Sequence, residues 1–365
     1  MTILSLLQKK KKGASSGSLD RMAWRRFRHN PLAVASLIVI ALFALVAVLG
    51  YLITPDPTPH CNQQYLELAT LKPGSKATFL YTSDSSLVTR HSSLLRRMIN
   101  GEPLPYTAIP IYKYVYAGDS LTAYPISGEP MTVQRDEARI GHRTFLLGTD
   151  AYGRDVLSML MIGSRVSLSV GFIAIAIALL IGITLGALAA YHGGWVDNLI
   201  LWLINVVWSI PTVLLVIAIT FALGKGFWQI FVAVGLTMWV DIARVVRGQV
   251  YSIKEKEYVE ATRALGFSTF RTIFRHILPN CLGAVVVVAA SNFASAILLE
   301  AGLSFLGIGV QPPMPSWGMM VKDNYGYLLL DSAYLALLPG LAIMIIVLAF
   351  MLLAGGLRDA LDVKR

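Results

Sequence analysis

Six stretches of this chain, residues 32–53, 166–190, 198–223, 227–240, 282–308 and 333–357, are almost wholly apolar. A helix needs about 20 such residues to cross the hydrocarbon core of a bilayer. The fourth stretch is short and is expected to borrow residues at its ends, as far as Val246. In lipid, a lone apolar segment satisfies its backbone groups as a helix. The expected fold class is therefore an all-α polytopic membrane protein with six transmembrane helices. The charged fraction agrees: it is 14%, against about 25% in a soluble domain. That excludes an ordinary soluble enzyme, a disordered tail and a fibrous protein. Pro211, inside the third stretch, removes a backbone bond and is expected to kink that helix.

The basic residues orient the chain. Of the 31 Lys and Arg, eight precede residue 31, seven lie between the fourth and fifth stretches, and three follow the sixth. With six spans all 18 fall on one side, while the opposite short loops hold only Lys225 and Lys322. The positive-inside rule makes that side cytoplasmic, so both termini are expected there. The net charge of +10 then belongs to cytoplasmic loops and does not call for nucleic acid. Trp24-Arg25-Arg26-Phe27-Arg28 has the look of a twin-arginine signal, but the run after it spans a full membrane with no small-residue cleavage site.

The expected organisation is a basic tail (1–30), a first transmembrane helix (31–54), an extracytoplasmic segment (55–163), a core of five further helices (164–360) and a tail (361–365). Nine of the 16 prolines lie between Pro55 and Pro130, which disfavours long helices there. The runs 77–81 and 111–116 read as strands, the second entering a turn at 117–120. A small β-rich subdomain is expected, with Tyr112, Tyr114 and Tyr116 either on its packed face or turned to a partner. Asp155 is expected to cap a surface helix that ends at Gly163 before Arg165 opens the second span.

The basic connection, residues 242–280, is the most informative segment. Tyr258, Ala261, Thr262 and Leu265 fall at i, i+3, i+4 and i+7, one face of a helix. Glu260 takes another face, and Gly266 supplies a helix stop. Ser268 can cap a second helix, with Phe270, Ile273, Phe274 and Ile277 on its apolar face, and Leu278-Pro279 closes it. Two short helices around a tight turn, anchored in the membrane, can transmit force.

Glu260-Ala261-Thr262, Gly266 and Leu278-Pro279 resemble the EAA loop of importer-type ABC transporter permeases. Thr262 stands where a second alanine is usual, and His276 where an isoleucine is usual. The stretch 22–31, the stretch 147–155 (with Gly148, Thr149, Asp150, Gly153, Arg154 and Asp155), the stretch 302–307 and the stretch 312–318 narrow the resemblance. Together they are similar to the C-type permease subunit of dipeptide and oligopeptide importers, over about 22–55 and 145–360; residues 60–140 are longer than this loop usually is. The resemblance implies the importer-type permease fold in a bacterial inner membrane. It also implies a heterodimer with a second permease subunit, two cytoplasmic ATPase subunits that hold ATP and magnesium, and an extracytoplasmic substrate-binding protein. In that family a short helix of the loop docks into a cleft of the ATPase, so residues 254–279 would couple hydrolysis to transport. Dipeptides or oligopeptides are the expected cargo; nickel chelates, glutathione and microcin-like peptides travel through the same architecture.

Other residues keep two readings. Glu300 lies about 27 Å along the fifth stretch, counted at 1.5 Å per residue. It is a candidate gate or pathway residue, or a partner in an interhelical hydrogen bond. Pro211 and Asn292 are further pathway candidates, and Asn205 and Asn292 also suit polar contacts between helices. Gly182 and Gly186 form a small-residue face for close packing, within the chain or against a second permease. Asp150 and Asp155 suit pairing with Arg154 and helix capping better than catalysis. The sequence lacks a Gly-x-x-x-x-Gly-Lys-Ser/Thr loop, and its histidines show no metal-binding spacing, so no enzyme activity, metal or cofactor is expected in this chain. A secondary transporter would need coupling acids near the midplane, and a membrane enzyme a nucleophile and base, and neither is evident.

Overall fold

Capping residues set where the long helices begin. The Asn30 side chain accepts from the Ala33 amide and Pro31 takes the first helical position, so α2 (Pro31–Ile53) starts directly after α1 (Ser16–His29). The structure, a computed structural model, describes residues 16–83, 93–224 and 226–361. Lys9 to Lys12, Lys225, Lys364 and Arg365, counted above for orientation, lie outside the described residues.

After α2 come β1 (Ser75–Ser83), α3 (Leu94–Asn100), β2 (Tyr106–Ala117), β3 (Ser120–Pro125), β4 (Met131–Gln134) and β5 (Ala138–Phe145). The helical core follows: α4 (Val156–His192), α5 (Gly194–Ser209), α6 (Thr212–Leu223), α7 (Phe227–Lys254), α8 (Glu257–Ala264), α9 (Thr269–Thr272), α10 (Leu278–Phe305), α11 (Trp317–Asn324) and α12 (Tyr334–Leu361). By length and composition α2, α4, α7, α12 and the continuous run of α9 into α10 can each cross a membrane. The pair α5 and α6 makes a sixth span if counted together.

Four boundaries depart from the sequence expectation. The third stretch is broken rather than kinked: α5 and α6 meet at 95° across Ile210 and Pro211, and Pro211 precedes the first turn of α6. No surface helix ends at Gly163, because α4 runs unbroken for 37 residues. Gly163 is instead a point of close approach, where a Cβ would come 3.1 Å from the Trp317 ring. The fourth span continues to Lys254, so Arg244 and Arg247 belong to a helix and not to a loop. Leu278-Pro279 does not close a helix: Leu278 N–H bonds to the Ile273 carbonyl across a π-type turn (Ile273–Ile277) that carries α9 into α10. The wider turn absorbs the proline without a break.

Two apolar cores share α4 and α10. One gathers Val170, Ala178, Ile204, Phe231, Val246 and Ile277 from α4, α5, α7 and the π-type turn, with Val216 of α6. The other gathers Met159, Ile297, Trp317, Leu335 and Ile346 from α4, α10, α11 and α12, with Phe43 and Ile40 of α2 against it. The small-residue face of α4 lies inside the chain. A Cβ on Gly182 would meet Ile242 at 2.7 Å, and one on Gly186 the Ala243 carbonyl at 2.4 Å, so α4 and α7 touch backbone to backbone.

The segment between α2 and α4 carries the expected sheet, five antiparallel strands in the order β4-β3-β2-β1-β5. It curls so that Leu80, Ile111, Leu121 and Ala123, with Val133 and Ile140, share one interior. Its other face packs Phe79 and Phe145 on Tyr65 and Leu68. The tyrosine stripe is not a packed face. A bulge between Ile111 and Lys113 shifts the register. Tyr112 is left 69% exposed, and Tyr114 and Tyr116, opposite Ala123 and Leu121, remain exposed at the rim.

Candidate functional site

The connection folds into a rigid knob of α8, α9 and the π-type turn. Gly266, at φ +70°, ends α8: Phe267 N–H bonds to Thr262 O and Gly266 N–H to Arg263 O. These are the two bonds of a Schellman stop, and only a glycine takes that backbone conformation without strain. The Ser268 hydroxyl then accepts from the Arg271 amide and opens α9. Val259 and Thr262 form the buried side of α8, with the Thr262 hydroxyl donating to Val259 O and lying 3.4 Å from Thr272 Oγ1.

The outward side differs from the expected face. Thr262 turns inward, while Tyr258, Glu260, Ala261 and Leu265 stay exposed. On the second helix Ile273 and Ile277 are buried, whereas the rings of Phe270 (69% exposed) and Phe274 lie 4.3 Å apart, tilted against each other, and face out. An aliphatic and aromatic patch is thus left uncovered in the isolated chain. The Asn280 amide donates to Tyr258 Oη at 3.3 Å, and partial desolvation holds the Tyr258 phenol above its ordinary pKa.

Three ties fix the knob end of the bundle, and the sequence reading missed them. Lys254 Nζ donates to Ala190 O at the C-terminus of α4. The Arg263 guanidinium sits 5.2 Å from the Tyr191 ring. Arg247 grips Asp197 at the start of α5 with two hydrogen bonds, 2.6 and 2.7 Å. The lone acid Asp197 beside an apolar run was the available signal.

The 148–155 motif is a junction. Asp150 accepts from Tyr152 N and Arg154 N, and takes Arg154 Nε and Nη2 at 2.8 and 2.7 Å. The Thr149 hydroxyl donates to Leu68 O and accepts from Leu71 N. Gly148 and Gly153 adopt positive φ where a Cβ would strike Leu71 O and Tyr65 O. Asp155 caps α4 by accepting from Ser158 N. These residues clamp the sheet's approach segment to the start of α4, and Asp150 and Asp155 are buried there.

Glu300 is fully buried. It accepts from Ser167 of α4 at 3.1 Å and Ser304 at 2.7 Å, and Ser316, the cap of α11, donates to Ser304 at 3.4 Å. Asn292 and Pro211 go elsewhere. Asn292 donates to Met238 O and lines a cavity of about 460 Å³ between α5, α6, α7 and α10, and Thr212, next to Pro211, lines it too. Asn205 is exposed and, among the described residues, bridges nothing. The cavity wall also holds Asp241, which the sequence reading passed over; an acid in the apolar run extended to Val246 was its signal.

Apolar spans around a groove, with a rigid knob at one end, define a membrane transport subunit. The family described as binding-protein-dependent transport system inner membrane component matches residues 182–365, and the N-terminal transmembrane domain of oligopeptide transport permease C matches residues 18–73. The chain belongs to this family of ABC importer permeases. It is 42% identical to the dipeptide transport system permease DppC of Alkalihalophilus pseudofirmus, over 60% of this chain and 71% of that protein. It is 40% identical to the glutathione transport system permease GsiD of Pectobacterium atrosepticum, over 60% of this chain and 72% of that protein. With DppC of Bacillus subtilis the identity is 38% over 95% of this chain and 86% of that protein.

Proposed function

We propose that this permease forms half of a translocation pathway for dipeptides or oligopeptides and is driven by ATP hydrolysed in separate cytoplasmic subunits. The exposed patch of Tyr258, Ala261, Leu265, Phe270 and Phe274 on a rigid knob carries the reading. Burying each large apolar side chain against a partner is worth about 1.5–3 kcal/mol, enough to dock a force-bearing subunit. The partners are two ATPase subunits that hold ATP and magnesium, a second, different permease chain and an extracytoplasmic receptor. The chain sits in a bacterial inner membrane with both termini cytoplasmic. Closure of the ATPases pushes the knob. Because α9 continues into α10 and the knob is tied to α4, the push reaches the spans around the groove. The groove, with Asn292 and the Pro211 break at its edge, is the pathway, and Glu300 holds its outer end in register. Glutathione is the second cargo reading, favoured by the GsiD relative and chemically a small peptide as well.

The test replaces Glu260 with Lys and Ala261 with Glu together, in chains co-expressed with the second permease and the ATPase subunits. Both positions are exposed, so insertion and thermal stability are expected to be unchanged. Co-purification of the ATPase and peptide uptake should fall at least tenfold. Full uptake with bound ATPase would overturn the docking assignment.

A further inference from the structure

Asp241 stands near the middle of α7, about 21 Å from its first residue at 1.5 Å per residue. It is exposed in the chain and lines the cavity with Trp208, Thr212, Thr237, Asn292 and Ser295. A carboxylate within a spanning helix is costly unless something pairs with it. Among the described residues Asp241 makes no hydrogen bond and no ion pair. The nearest cation along the helix, Arg244, lies within electrostatic reach but forms no ion pair with it; its guanidinium carbon lies 3.6 Å from the centre of the Trp208 ring, on the same cavity wall.

Two neighbouring polar groups each spend a proton within the chain. The Thr237 hydroxyl donates to Val234 O at 2.8 Å, and the Asn292 amide donates to Met238 O at 3.4 Å. The Asp241 carboxylate, the Asn292 amide oxygen and the Thr237 hydroxyl oxygen are left as acceptors for a ligand. Such a wall suits a cationic donor. Among the described residues no three His, Cys, Asp or Glu side chains gather to hold a metal ion, and a single carboxylate with neutral oxygens fits an ammonium group better than a divalent ion. The volume of about 460 Å³ falls within the roughly 300–1,000 Å³ of small-ligand sites.

We infer that Asp241 is a cargo-binding residue of the pathway, the counter-charge for the α-ammonium group of a peptide in transit, with Asn292 and Thr237 completing its acceptors. The assignment rests on the peptide-importer reading and names the chemistry by which that groove recognises its cargo.

The complete importer in proteoliposomes, with its receptor, tests it. Uptake of labelled trialanine and of N-acetyl-trialanine is measured for wild type, Asp241→Asn and Asp241→Glu, together with ATP hydrolysis and the melting of the assembled complex. Wild type should favour the free amine at least tenfold. Asp241→Asn should lose tenfold or more of trialanine uptake and most of that preference, with assembly and melting unchanged, and Asp241→Glu should recover both to within about threefold. Trialanine uptake and preference retained in Asp241→Asn would overturn the assignment and leave the importer reading standing. Uptake of neither compound by wild type would overturn the peptide reading and this assignment with it.

Discussion

Glu300 shows what one side chain does when enclosed. Two serine hydroxyls from different parts of the chain donate to it, and a third serine joins through Ser304. Removing the carboxyl leaves two buried hydroxyls without their acceptor, about 1–3 kcal/mol each before any cavity is counted. Glu300→Ala should therefore lower the unfolding midpoint of the detergent-solubilised protein by several degrees, whereas Glu300→Gln, which keeps an acceptor oxygen, should lose less than half as much. Unchanged midpoints with abolished uptake would instead make Glu300 a gate. An acid in an apolar run was visible in the sequence, but its role was not, because Ser167 is 133 residues away. Asp155 was easier to read, since a cap acts within its own turn.

Helices follow the same logic at the next scale. The glycine pair on α4 was legible as a packing face, but its partner was not, because spacing alone does not say which helix comes close. Inserting Leu at Gly182 must push α7 away from α4. Overpacking of this kind costs about 1–3 kcal/mol. Gly182→Leu is expected to insert but to melt lower and give less folded permease in size-exclusion profiles. Gly355→Ala, whose added methyl meets nothing within 4 Å, should be neutral or slightly stabilising. Equal behaviour of the two variants would contradict the seam. Prolines carry a related lesson. Pro211 and Pro279 both lose a donor, yet one accompanies a 95° break and the other passes through a π-type turn. Local sequence records the missing bond but not how the neighbouring turns take it up. The tyrosine stripe was legible, but which of its two readings applied was not, because one bulge shifts the register of every residue after it.

Across the whole molecule, the tight and loose joints fall in different places. Backbone contact binds α4 to α7, and α9 runs into α10 without a break. The span of α5 and α6 is broken at Pro211 and packs on the groove, and its first turn is held to α7 by the Asp197–Arg247 pair. On the proposed coupling, that pair is where a push from the knob end would pass to the broken span of α5 and α6. Charged hydrogen bonds of this kind are worth about 1.5–3 kcal/mol, less where water reaches them, as it does here in part. Asp197→Asn should leave the fold, the ATPase association and ATP turnover close to wild type, but lower the number of peptides imported per ATP hydrolysed several-fold. The ratio is read by measuring phosphate release and uptake in the same vesicles. Equal losses in both would mean that the pair only stabilises the bundle, and an unchanged ratio would mean that α5 receives its motion elsewhere, through the break at Pro211 or from the second permease chain.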